Sequence, residues 1–294
     1  MSSIVYFTRE CTPQAVVRLY QTLGRTLPGN LAVKVHSGEE GNRNYLPPEF
    51  WQPVYELTGG TVVECNTAYD GARNYTRKHR KLLESHGWSV FPFDLMDAEG
   101  PDLVLDIPRG VRIRKNYVGK NLKNYDSMLV LAHYKGHPMG GYGGALKQIS
   151  IGVASSAGKC WIHSAGKTLD QRIIWNEGVY GPQDAFLESM ADAASSVVDF
   201  FRGNMIFVNV MKNMSVDCDC IAEAEPPCLP DMGMMISLDP VAIDRACIDM
   251  VRKSSDPGKE KLLERITSRN GEHTIEAAAA LGVGSTEYEL VSID

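Results

Sequence analysis

The sequence holds no apolar run approaching the roughly eighteen residues that a bilayer-crossing helix needs, and no basic start joined to a long apolar stretch. No membrane association and no secretory leader are therefore expected. Basic residues are not in excess either: 30 Lys and Arg stand against 36 Asp and Glu, a formal net charge of −6. That balance argues against a nucleic-acid partner held by charge. The seven cysteines are odd in number and unevenly spaced, four of them (Cys218, Cys220, Cys228 and Cys247) within thirty residues, so no disulfide framework is expected. Free thiols in turn make the reducing cytoplasm the expected compartment. Also absent are the Gly-x-Ser-x-Gly elbow, the His-Glu-x-x-His pair, the kinase signature set, the phosphate loop and the dinucleotide fingerprint. Hydrolase, kinase and nucleotide-cofactor readings lack an anchor.

What is present is an ordinary globular balance, 44% hydrophobic and 22% charged, without internal repeats or low-complexity segments. Short apolar stretches alternate with helical patterns. Strands are expected at Ile4–Phe7, Leu31–Val35, Thr61–Cys65, Ser89–Phe93, Ser127–Ala132, Asn204–Val210 and Tyr288–Ile293. Thr12-Pro13, Pro47-Pro48 and Asp239-Pro240 open helices, and further helices are expected over Arg73–His86, Gln183–Arg202 and about Gly258–Leu281. Strands alternating with helices predict an α/β fold, a mainly parallel sheet with flanking helices in Rossmann-like layers. Residues 99–123 break the rhythm and are expected to form a small β-rich arm.

In such sheets the loops after the strands converge at the carboxyl edge and carry the chemistry. Here those loops hold His36, then Asn66 to Gly71, then His133-Tyr-Lys-Gly-His137, then Cys218-Asp219-Cys220. Five glycines between 136 and 144 leave backbone amides free for an anionic small molecule. Gly140, Gly141, Gly143 and Gly144 with Lys147 are the candidate anion-binding residues; the alternative is a flexible turn whose histidines cap backbone groups. One residue between Cys218 and Cys220 prevents an unstrained disulfide, and paired thiolates call for a cation such as a soft metal ion. An iron–sulfur cluster is the other cation-rich occupant. Cys228, Asp231 and the loop histidines His133, His137 and His163 are the candidates to complete the site, and two ordinary buried thiols are the alternative. Cys160 and Cys247 fall in helical patterns and are expected to pack. Lys34 lies within an otherwise apolar strand. Either it is buried beside Glu39, Glu64 or Asp70, or it is catalytic through a lowered pKa. With His36 and Lys135 it makes the candidate catalytic set. His79 and His86 are expected to face solvent from a basic helix.

Several motifs, taken in order, resemble the domain-of-unknown-function family numbered 362. They are Ala32 to Glu49, His133 to Lys147, Ser155 to Lys159 with Ile162-His163, Cys218 to Cys220, Pro230 to Gly233 and Ser237 to Cys247. Members of that family are often labelled uncharacterised iron–sulfur centre proteins. The resemblance implies a core α/β domain over residues 1–255, with 256–294 a helical C-terminal extension packed on it. It implies a site that includes Lys34, His36, His133, Lys135, His137, Lys147, His163, Cys218, Cys220, Asp231 and Asp244. Many relatives carry a ferredoxin-like insert after the stretch matching Lys159–His163. This chain has no cysteine between 160 and 218, so ferredoxin-type iron–sulfur clusters are not expected in it. Three readings follow: a metal-dependent enzyme or redox-related protein acting on an anionic small molecule, with a separate ferredoxin as possible electron donor; a non-catalytic metal or iron–sulfur carrier; and a metal-free binding protein.

Overall fold

The structure, a computed structural model, describes residues 2–294. It begins with β1 (Ser3–Thr8) and α1 (Pro13–Leu23), where the Thr12 side chain accepts the Ala15 N–H and Gly24, at φ 65°, ends the helix. Then come β2 (Leu31–Lys34), α2 (Pro48–Thr58), β3 (Thr61–Glu64), α3 (Thr76–Ser85), β4 (Phe93–Leu95), β5 (Leu103–Asp106), β6 (Lys115–Val118) and β7 (Ser127–His133). A hairpin of β8 (Lys135–His137) and β9 (Gly141–Gly143) leads into α4 (Ala145–Ser150) and α5 (Ser156–His163). The remainder is α6 (Gln183–Phe201), β10 (Met205–Met211), β11 (Gly233–Ser237), α7 (Pro240–Lys253), α8 (Lys259–Ser268), α9 (His273–Ala280) and β12 (Tyr288–Ser292). No helix of the described residues is long and apolar enough to cross a membrane.

Eight strands form one sheet in the order β12-β1-β11-β10-β7-β2-β3-β4, and β11 alone runs antiparallel to its neighbours. Period two explains the burial. Met128 and Val130 of β7 face a core shared with α4, α6, α7 and α9, while Leu129 and Leu131 face one shared with α1 and α2. With helices on both faces, all seven residues of β7 are buried, which is why it reads as a continuous apolar run. β12 pairs in parallel with β1, so the end of the chain completes one sheet edge.

The predicted α/β fold with a mainly parallel sheet is what forms, and β5 and β6 make the antiparallel arm. Some local expectations are corrected. The strand expected at Ser89–Phe93 lies later, at Phe93–Leu95: buried Trp88 anchors a 3-10 turn over Trp88–Val90, and bonding to β3 begins at the Pro92 carbonyl, which accepts the Val62 N–H. β11 was not foreseen, because its five residues sit between proline-rich and capping segments and carry no periodic signal of their own. His79 does not face solvent. It is fully buried, with its ring nitrogens on Asn66 Oδ1 and Glu64 Oε2. His86 is half-buried, stacked on Tyr45.

The arm is fastened by one carboxylate. Buried Asp192 of α6 accepts the backbone N–H groups of Val111, Arg112 and Ile113 at 2.8, 2.7 and 2.9 Å. Replacing Asp192→Ala leaves these donors without a partner. The expected loss is about 3 kcal/mol in urea unfolding, with faster amide exchange confined to residues 111–113. Unchanged exchange there would show that the arm is held by other contacts.

Candidate functional site

The strand order reverses between β2 and β7: the chain builds outward through β3 and β4 on one side and through β10 on the other. Loops leaving the carboxyl ends of β2, β3, β7 and β10 therefore converge on one opening. They supply His36, then Cys65 to Arg73, then the β8–β9 hairpin, then Cys218 to Cys220.

Asp219 fixes the last of these. Its buried carboxylate accepts Lys135 Nζ at 2.6 Å and His133 Nδ1 at 2.9 Å, and His133 Nε2 faces the Lys212 carbonyl at 2.6 Å. Burial would raise the Asp219 carboxyl, but His133 and Lys135 hold it well below the usual range. The loop after β2 grips from the other side: Glu39 N–H donates to the Asp219 carbonyl at 2.8 Å, and Asn42 Nδ2 to that of Ile221 at 2.7 Å. Lys135, expected to be catalytic, and His133, expected to bind metal, are thus engaged with Asp219.

Clamping Asp219 turns the flanking sulfurs inward. His137, Cys218 and Cys220 each place a donor atom within 4.8 Å of the others. Lys147 Nζ lies 3.6 Å from Cys218 Sγ. Burial raises the Cys218 thiol, but hydrogen bonding from Cys220, the Lys147 charge and His137 together bring it well below its ordinary value. Its hydrogen bond to Cys218 and burial push Cys220 up. The pair therefore shares one proton. His137 Nδ1 accepts the N–H groups of Met139 (3.2 Å) and Gly140 (2.8 Å), and His36 Nδ1 accepts that of Gly38 (3.1 Å). Burial lowers His36 and His137 to about 4 and His163 to about 3, so all three rings are neutral at neutral pH.

Cys220 and His137 border a cavity of about 320 Å³, with Cys218 behind them. Lys34, Arg73, Lys147 and Lys159 line it, against a single carboxylate, Glu64. Arg73 is compensated by Glu39 at 3.2 Å and Glu64 at 3.6 Å. The lysines have no carboxylate partner: among the described residues none lies within 4.0 Å of the Lys34, Lys147 or Lys159 nitrogen, and Lys147 alone faces a thiolate. Lys34 donates to the Val35 carbonyl (2.5 Å) and Gln148 Oε1 (3.1 Å), and Lys159 to the Ala154 carbonyl (2.6 Å). Burial lowers Lys34 to about 8, Glu64 opposing, and lowers Lys159 as well. Burial lowers Lys147, but the charge of the Cys218 thiolate and its hydrogen bond outweigh this and leave it raised.

Other candidates fall elsewhere. His163 lines the cavity from α5, stacked on Phe186 at 4.6 Å, with no hydrogen-bond partner for Nδ1. It stands outside the group of metal donors. Asp231 lies apart from that group, paired with Lys212 at 2.6 Å at the surface. The glycine run closes on itself. The Ala145 and Leu146 N–H groups donate to Asp244 at 2.8 and 3.0 Å, and a Cβ on Gly144 would lie 2.4 Å from that carboxylate. The anion seat at the start of α4 is filled by the protein's own side chain, so Gly140, Gly141, Gly143 and Gly144 shape the hairpin while Lys147 reaches the cavity. A Cβ on Gly136 would meet the Val216 carbonyl at 2.2 Å, so that glycine lets the hairpin touch the loop carrying the cysteines.

Arg73, Lys159, Gln148 and Tyr69 were not among the candidate site residues. Arg73 reads as the first residue of an exposed basic helix, yet it precedes α3 and is buried. Lys159 carried a usable signal: it sits in Ser-Ala-Gly-Lys-Cys-Trp-Ile-His, a helix otherwise small or apolar, where a lysine has no solvent face.

A family model for a domain of unknown function, DUF362, matches residues 31–249. No curated protein matches the chain. Among solved structures, the lactate racemase apoprotein from Thermoanaerobacterium thermosaccharolyticum aligns with a TM-score of 0.45 at 14% identity, over 71% of this chain and 50% of that one. A protein from Thermotoga maritima aligns with a TM-score of 0.46 at 12% identity, over 93% of this chain and 59% of that one. The chain thus spans half to three fifths of the length of these two proteins.

Removing the clamp tests its role. Asp219→Asn leaves the Lys135 ammonium buried and unpaired, and the expected cost at neutral pH is about 3–5 kcal/mol in denaturant unfolding. Because the folded carboxyl ionises far below its unfolded value near 4, its stabilisation is complete above that pH and is lost as pH falls below it. The gap between wild type and variant should therefore narrow on acidification. A gap independent of pH would show that the charge of Asp219 does not hold the loop.

Proposed function

The chain belongs to the DUF362 family, and from that premise we propose that it binds a small anionic molecule in the lysine-lined cavity, next to a soft metal ion on Cys218, Cys220 and His137. One observation carries the reading: Lys34 and Lys159 are buried and Lys147 half-buried around one cavity, with no carboxylate within 4.0 Å of any of the three nitrogens among the described residues. A buried ammonium without a counter-charge costs several kcal/mol, so a fold that keeps Lys34 and Lys159 in this cavity is stabilised by an anion that enters between the lysines. Lys147 is shared, its charge facing both Cys218 and the cavity.

Thiolates with an imidazole favour zinc, copper(I) or iron over hard cations. Three donors leave a position open toward the cavity, the arrangement of a catalytic rather than a closed structural centre. A metal placed there would polarise the bound anion or pass electrons received from a separate ferredoxin. A four-cysteine cluster is not supported, since Cys228 lies outside the donor group. The full burial of Cys218 favours an enzyme over a carrier, which must surrender its cargo.

A second reading rests on His137. Two backbone N–H groups point at Nδ1, which places the ring proton on the other nitrogen, toward the sulfurs. A ring in that state donates to a thiolate instead of ligating a metal, and Cys218 would then act as a free nucleophile or redox thiol.

Metal analysis of anaerobically purified protein separates the two. The metal reading predicts stoichiometric metal that is lost in the Cys218→Ser, Cys220→Ser double variant and kept in Asp231→Ala. Metal-free protein with a titratable thiolate would overturn it in favour of the second reading. For the anion, calorimetry with inorganic phosphate and with a small carboxylate should show binding that Lys159→Met weakens about 10- to 100-fold, the worth of a hydrogen bond to a charged group. Affinity unchanged by both Lys159→Met and Lys147→Met would overturn the anion reading.

A further inference from the structure

The three lysines are not equivalent. Lys147 is held as a cation by the Cys218 thiolate. Lys159 has one acceptor, the Ala154 carbonyl, so its remaining hydrogens are free for a ligand. Lys34, at the carboxyl end of β2, has two acceptors, the Val35 carbonyl and Gln148 Oε1, and both are neutral. A neutral amine carries two hydrogens and one lone pair. Two acceptors account for the hydrogens, and the lone pair is left for the cavity that Lys34 lines. Space is made for the side chain: a Cβ on Gly152 would come within 2.9 Å of Lys34 Cε.

We propose that Lys34 is a nucleophilic amine that condenses with a small aldehyde or ketone bearing a carboxylate or phosphate group, forming an imine at Nζ. The inference rests on the anion reading above, with Lys159 and Lys147 holding the charged end of the ligand. Nζ attacks the carbonyl carbon, a C–N bond forms, and the carbonyl oxygen departs as water with the two amine hydrogens. No oxidant or reductant is consumed. Burial supports the assignment, since it brings the ammonium down to about 8 and makes the free amine accessible near neutral pH. Glu64 is the carboxylate that opposes this shift, and it is itself engaged by His79, Ser37 and Arg73.

The test is reductive trapping on the full chain. Protein is incubated with pyruvate or with glyceraldehyde 3-phosphate, reduced with cyanoborohydride and mapped by peptide mass spectrometry. A single adduct on the Lys34 peptide, blocked by excess inorganic phosphate, is expected, and the more effective probe identifies whether carboxylate or phosphate is preferred. The adduct should vanish in Lys34→Arg. It should vanish too in Gln148→Glu, which leaves Lys34 in place but gives its ammonium a carboxylate. Adducts scattered over surface lysines, or unchanged in both variants, would overturn the inference. Phosphate binding by calorimetry without any Lys34 adduct would overturn the imine alone and leave the anion reading intact. Absence of both anion binding and adduct would overturn both.

Discussion

The carboxylate of Asp219 sits between the Lys135 ammonium and the His133 ring, and the positions of both cysteine sulfurs follow from it. A loop has no regular hydrogen-bond ladder to fix it. This one is fixed by a buried ion pair to the end of β7 and by backbone contacts to the loop after β2. With the middle residue of Cys218-Asp219-Cys220 tied down, the two thiols are turned to the same side, against His137 and Lys147. A buried ion pair contributes little net stability against an apolar substitute, but it imposes a single geometry. Its value here is positional.

The charge pattern around the cavity follows from that placement. The chain carries a net charge of −6, yet the cavity is lined by four cationic side chains and one carboxylate. Arg73 is neutralised locally, and three histidines are driven neutral by burial. What remains is a small group of ammonium nitrogens with unequal roles. One is paired with a thiolate, one has free donors, and one is close to losing its proton. A positive cavity in an acidic protein is the setting on which the proposed small anion depends.

Much of the architecture was legible because it follows period and punctuation. Thr12-Pro13 and Asp239-Pro240 start helices by capping, and Ser127 to Ala132 reads as a doubly covered strand because both sheet faces bury it. The carboxyl-edge rule brought His36, His137, Lys147 and Cys218 to one place. Pairing partners were not legible. Whether Lys135 meets a ligand or Asp219, and whether the α4 amides meet an anion or Asp244, depends on contacts 84 to 99 residues apart in sequence. His79 illustrates the same limit: on a basic helix it reads as exposed, and only the fold shows that its face meets Glu64.

The central claim is that the Cys218–Cys220 pair adjoins a cavity whose ammonium groups hold an anion. A crystal structure of anaerobically prepared protein grown in selenate, with anomalous data at the selenium edge and at the edge of any metal found, tests it directly. The account predicts selenate between Lys147 and Lys159, and a metal peak at Cys218 and Cys220. A cavity holding only water, with those lysines turned onto carboxylates, would contradict it.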